Sequence, residues 1–160
     1  MAGIHLHVFV PAPIDEVFAF FDDPDTTAEF NEHAESIKVV AVQADGRRTI
    51  DVVMKAGRKT WMQTVEQVVR EPPTRLTTRG GSWTTDRNQL SLSMTTDRRF
   101  SPDGDGTVID ITIDYGLRQP LKHPIRAVLS WLQRGQAQRE FEYQLSQVVQ
   151  RLASHRPPEP

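Results

Sequence analysis

From Gln119 to His155 the sequence has the makings of one long helix, whereas everything before it breaks into short runs closed by turn residues. After Pro124 there is no proline until Pro157, and Gly135 is the one internal glycine. Leu121, Ile125, Val128, Leu129 and Leu132 recur at helical spacing, and so do Phe141, Leu145, Val148, Val149 and Leu152. At about 100° per residue the two sets fall on opposite sides of a straight helix. Length raises the same conflict. Pro124 to Leu152 at about 1.5 Å per residue would span about 44 Å, whereas a compact chain of this size is only about 39 Å across. Two solutions remain open: a kink near Gln133–Gly135 that lets both halves pack on one core, or one half resting on something other than its own sheet.

The preceding residues alternate with strand periodicity. Ile4, Leu6, Val8 and Val10 oppose His5, His7 and Phe9. Pro13 followed by Asp15 and Glu16 starts a short helix buried through Val17, Phe18, Phe20 and Phe21. Asp23-Pro24 starts a second one, expected to reach about Glu32, with Asp22, Asp23 and Asp25 as caps at the break. Strands follow at Glu35–Gln43, Thr49–Lys55, Arg58–Arg70, Arg75–Arg79, Trp83–Phe100 and Thr107–Leu117. Their expected turns are Ala44-Asp45-Gly46, Ala56-Gly57, Pro72-Pro73, Gly80-Gly81 and Ser101–Gly106. The order β-α-α-β6-α makes an α+β fold: a curved seven-stranded antiparallel sheet with one wet face, two short helices and one long C-terminal helix. A single helix leaves part of a concave sheet uncovered, so a cavity between helix and sheet is expected.

Composition narrows the classes of function. The chain has 160 residues, which suits one domain, here 1–155, with a disordered proline-rich tail over 156–160. It has no cysteine, which excludes disulfides, thiolate metal sites and a Cys nucleophile. A formal net charge of -2 gives no basic field for nucleic acid. With no signal-peptide pattern and no apolar run of about 20 residues, the expected location is the cytoplasm.

The element order, together with VPAPIDEVFAFFDDP at Val10–Pro24, VEQVVREPPTRL at Val65–Leu76 and QREFEYQLSQVVQRL at Gln138–Leu152, resembles the START-like (helix-grip, SRPBCC) superfamily. Within it, the chain resembles the polyketide cyclase/dehydrase and lipid transport group. These are fold motifs rather than catalytic ones. The resemblance implies a cavity for a hydrophobic small molecule (a lipid, a polyketide or something quinone-like) in a binder, carrier, sensor or, less commonly, an enzyme.

Residues with inward parity are the candidates for the lining: Met54, Leu90, Leu92, Met94, Ile111, Ile113 and Tyr115. On Arg58–Arg70 two parities compete. The family resemblance favours Trp61, Val65 and Val69, with Gln63 and Gln67 as inward polar contacts. From the helix, Leu129, Leu132 and Gln136 are expected to face the sheet. For catalysis only a weak pair stands out: Asp86, on the parity of Asn88, with Arg79 across the glycine turn. An outward ion pair is the plainer reading of that pair. His5 and His7 share a strand face but lie opposite the apolar one, so no metal and no cofactor is expected. The mixed segment Leu121–Arg134 fits transient contact with a membrane surface, or packing on the sheet rim or on a second copy in a homodimer. Three classes therefore stand: a carrier, a cyclase/dehydrase-like enzyme, and an interaction or stress-regulatory module without a ligand.

Overall fold

A computed structural model of the chain describes residues 2–29, 34–56, 59–85, 89–90, 92–117 and 136–154. Strand β1 (Ala2–Val10) is followed by helices α1 (Ile14–Asp22) and α2 (Pro24–Glu29). The next strands are β2 (Ala34–Val42), β3 (Arg48–Ala56), β4 (Lys59–Glu71) and β5 (Arg75–Thr85). The two-residue β6 (Gln89–Leu90), β7 (Leu92–Asp103), β8 (Gly106–Leu117) and helix α3 (Gln136–Ser154) complete the order.

Alternation in β1 maps directly onto burial: Ile4, Leu6 and Val10 are buried, and His5, His7 and Phe9 are exposed. β1 pairs antiparallel with β8, setting Ile4 against Ile113, Leu6 against Ile111 and Val8 against Ile109. The sheet then runs β1-β8-β7-β5-β4-β3-β2, with β6 attached to β5 off this path. This is the expected seven-stranded antiparallel meander, closed at one edge by the first strand. Phe18 of α1 packs edge-on against Phe100 of β7 (5.5 Å between centroids), and Phe21 lies 5.8 Å from the same ring. Helix α3 lies chiefly against β1. Its buried side carries Leu145 and Val148, with Val149 and Leu152 partly buried, as the spacing of the second apolar set requires. The proposed kink near Gln133–Gly135 and the first apolar set fall outside the described residues.

Turn chemistry explains some joins. Gly46 has φ 89° in the β2–β3 hairpin, where its N–H donates to the Gln43 carbonyl at 2.9 Å. Other joins differ from expectation. Gly80-Gly81 is no hairpin; β5 continues through it to Thr85, and the expected strand Trp83–Phe100 divides between β5, β6 and β7. The Gln63 side-chain amide lies where a Cβ on Gly80 would be, so glycine here accompanies a close approach inside the strand. The turn expected over Ser101–Gly106 is also shorter, since β7 runs on to Asp103 and pairs it with Gly106.

Two register shifts interrupt the β4–β5 ladder, between Gln63 and Val65 and between Gln67 and Val69. At the second, β4 advances two residues while β5 advances one, from Thr78 to Thr77. Val68 is the extra residue of a bulge, and everything after it changes face. Val69 therefore sits opposite Thr77 on the outer side, and Arg70 sits opposite the fully buried Leu76 on the inner side. The inward placement expected for Val69 is corrected accordingly.

Candidate functional site

Two rows of directly paired residues cross the inner face under α1. One runs Gln67, Thr78, Thr96, Ile113; the next runs Arg70, Leu76, Arg98, Ile111. Gln63 lies further along β4, beyond the half-buried Val65, which is paired with Gly80. The inner face thus carries polar side chains among the aliphatic ones, and each is satisfied to a different degree.

Asp22 anchors the first group. It closes α1 but does not cap α2; that task falls to Asp23, which accepts from the Asp25 N–H and the Thr26 hydroxyl, both at 3.0 Å. Asp22 is only 8% exposed and turns inward. Arg70 donates to it through Nη2 at 2.8 Å and through Nε at 3.0 and 3.2 Å. Gln67 Nε2 donates to it at 3.1 Å, and Arg48 reaches its backbone carbonyl at 2.9 Å. Burial opposes ionisation of this carboxyl, but the hydrogen bonds and charge of Arg70, then Gln67 and Arg48, outweigh it and hold the pKa below the usual carboxylate range. Gln67 is engaged at both ends of its amide, since its Oε1 also accepts from the Arg48 N–H at 3.0 Å.

Gln63 and Arg98 are the exceptions. Gln63 is 7% exposed, and its Nε2 has no hydrogen-bond partner among the described residues. Arg98 faces inward between Leu76 and Ile111, stacks over the Phe21 ring at 5.6 Å, and donates to Thr78 Oγ1 at a long 3.3 Å. Burial pushes its guanidinium down to about 10, which leaves it charged at neutral pH; the neighbouring Asp97 offsets only part of that effect. Asp97 itself points to the outer face, where Thr77, Arg75 and Arg99 donate to it at 2.6, 3.0 and 3.2 Å.

Of the lining candidates, Ile111 and Ile113 are buried on this face and Met94 packs partly buried against the core. Met54 and Trp61 occupy paired positions of β3 and β4, Tyr115 is opposite Met94, Leu90 is opposite Trp83 and Leu92 opens β7. Gln136 is the first residue of α3. Arg79 is exposed and paired with Glu66 on the outer side, away from Gln67 and Thr78. Asp86, Asn88, Leu129, Leu132 and the Leu121–Arg134 segment lie outside the described residues. His5 and His7 point outward and contact β8, with Nδ1 atoms 3.2 Å from Thr112 Oγ1 and 2.6 Å from Asp110 Oδ1. The sequence reading missed Asp22 as a buried partner, and it missed Arg70 and Arg98 altogether. Arg98 was within reach, because it shares even parity with Leu90, Leu92, Met94 and Phe100.

A curved antiparallel sheet with two short helices and a C-terminal helix is the helix-grip architecture of START-like proteins. Residues 1–153 match the family described as polyketide cyclase/dehydrase and lipid transport, and the chain belongs to that family. Solved structures agree in fold. A conserved protein from Geobacillus kaustophilus superposes with TM-score 0.74 at 11% identity, covering 96% of each chain. The Zhui aromatase/cyclase from Streptomyces sp. R1128 gives 0.70 at 16%, covering 95% of this chain and 93% of its own. A START superfamily protein from Mycobacterium smegmatis gives 0.63 at 15%, covering 94% and 98%. No curated protein sequence matches the chain. Among the described residues, no helix is long and apolar enough to cross a membrane.

Proposed function

We propose that the protein binds a hydrophobic small molecule between α3 and the inner face of the sheet, as a carrier or receptor for a lipid- or polyketide-like compound. The observation that carries this reading is the Gln63 amide, a buried donor without a partner among the described residues. Buried polar groups in native proteins are nearly always paired, because leaving one unmet costs about 1–3 kcal/mol. A ligand carbonyl or hydroxyl against Gln63 Nε2 removes that cost and orients an otherwise apolar molecule. The family supports the same reading, since its description joins lipid transport to polyketide cyclisation.

Native mass spectrometry of the purified protein, with solvent extraction, tests it. The expected result is a stoichiometric adduct lost on denaturation and reduced in Gln63→Met, which keeps the side-chain volume but removes the donor. A bare protein mass that stays bare after incubation with lipid and polyketide extracts would sink the reading.

The second reading, a cyclase/dehydrase-like enzyme in the same space, draws on the fold likeness to the Zhui aromatase/cyclase. Turnover of a linear poly-ketone chain, lost in Asp86→Asn, would favour it over the carrier.

A further inference from the structure

The two arginines on the inner face are neighbours across Leu76, yet their surroundings differ. Arg70 is matched by the Asp22 carboxylate through three short contacts. Arg98, one strand further along the same row, has no carboxylate within ion-pairing distance among the described residues. The acidic group next to it in sequence is turned to the other side of the sheet and already engaged by two arginines. What Arg98 does meet is the face of Phe21 and one neutral hydroxyl at 3.3 Å.

A half-buried guanidinium set among Leu76, Ile111 and an aromatic ring gains from an anion or several good acceptors. Its planar fork of N–H donors matches a carboxylate in bidentate geometry better than any neutral oxygen. Among the described residues, the Phe21 ring and the Thr78 hydroxyl are what meets this cation, and neither carries a negative charge.

Resting on the container reading above, we infer that Arg98 is the anchor for a carboxylate on the ligand, so that the preferred ligand is an apolar acid held head-first beneath α1. Its apolar body then runs along the inner face toward Met94 and Val65, where the Gln63 amide meets a second oxygen. Phe21 covers the Arg98 charge, and Thr78 on the adjoining strand accepts one hydrogen bond from it at 3.3 Å.

The test uses the full chain and a neutral fluorophore, N-phenyl-1-naphthylamine, displaced at about pH 8, where carboxylic acids are ionised and Arg98 is still charged. Competitors are two matched pairs: dodecanoate with its methyl ester, and 2-naphthoate with its methyl ester. Simple partition favours the esters, which are more apolar, so a preference for the acids reports recognition of charge. The expected result is that at least one acid displaces the probe at a concentration about tenfold lower than its ester, a typical gain for a charge-assisted contact. With each variant's competition normalised to its own affinity for the probe, Arg98→Gln is expected to lose the preference for acid over ester, and Arg98→Lys to keep part of it.

Equal displacement by acid and ester, displacement by neither acid, or an undiminished preference in Arg98→Gln would overturn the anchor while leaving the container intact. Failure of the wild-type protein to bind the fluorophore at all would instead overturn the container reading and the anchor with it. Should Arg98→Gln not fold, the wild-type acid-to-ester ratio and its reduction in Arg98→Lys decide the matter.

Discussion

Removing the Asp22 carboxylate is the perturbation whose cost follows most directly from the structure. Its side chain is 10% exposed and that of Arg70 is 22% exposed, and three contacts between 2.8 and 3.2 Å join them. Deleting one member of a buried ion pair costs about 3–5 kcal/mol, because the surviving charge is left without its partner. Water reaches Arg70 and Arg48 at their edges, which places Asp22→Ala at the low end, about 3 kcal/mol. For a domain of this size that corresponds to a fall in Tm of about 6–12 °C. Asp22→Asn keeps the shape and the acceptor for Gln67, and is expected to cost about 2 kcal/mol, the share carried by charge. The decisive assay is a double-mutant cycle by urea denaturation with Arg70→Met. Each single change leaves a charge without its partner, whereas Asp22→Leu combined with Arg70→Met removes both charges and leaves only the Gln67 Nε2 donor unmet. The pair is therefore expected to cost less than the sum of its parts by about 2 kcal/mol. Strict additivity, or a cost below about 0.5 kcal/mol for Asp22→Asn, would refute the claim that this carboxylate holds α1 to the sheet.

Two further outcomes follow from the same geometry. The folded-state pKa values of Asp22 and Asp97 are both held below the ordinary range: burial opposes this, and hydrogen bonds from Arg70 in one case and from Thr77, Arg75 and Arg99 in the other prevail. Their contribution to stability is therefore complete above about pH 5 and is lost as pH falls from about 4 through the lower folded values. Urea midpoints measured across that window should drop in the wild type and flatten in Asp22→Asn; an equal drop in both would rule Asp22 out as a source. Gly106→Ala is expected to destabilise by about 3 kcal/mol or more, because its Cβ would come within 2.6 Å of the Val10 carbonyl oxygen and press into the Phe9 ring. A Tm unchanged within about 2 °C would show that β1 and β8 can part there at little cost.

Sequence periodicity was a sound guide where the sheet is regular and a poor one where it is not. β1 and β8 pair without a shift over nine residues, so their alternation reads straight through to burial. In β4 the inner side carries Gln63, Gln67 and Arg70, a spacing that matches no strand period because Val68 is inserted between the last two. No window over that strand settles its parity from composition alone. The glycine pair in β5 misled for a related reason. Two glycines in a polar stretch are a common hairpin signal, but here the first makes room for a side chain contributed from 17 residues away in sequence, a separation that local pattern does not register. Asp22 was equally hidden. Beside Asp23-Pro24 it looks like a cap, and its true partners are 45 and 48 residues distant. Arg98 is the opposite case: its parity was plain, and only the habit of assigning charge to the wet face concealed it.

The position of Asp22 has a mechanical consequence. Helix α1 rests through Phe18 and Phe21 on β7, while the carboxylate at its last turn grips Arg70 of β4 and the adjoining carbonyl grips Arg48 of β3. A nine-residue helix therefore ties the two flanks of the sheet together at one end of the concave surface. A curved strip clamped at one end deforms like a cantilever: stiff at the clamp, compliant at the free edge. The spacing of the Phe21 ring over Arg98 then belongs to the stiff end, and on the proposed binding reading longer or bulkier ligands would be accommodated toward Gln63. If the proposed acid ligand binds there, selectivity for its head and tolerance toward its tail would be two outcomes of one clamp.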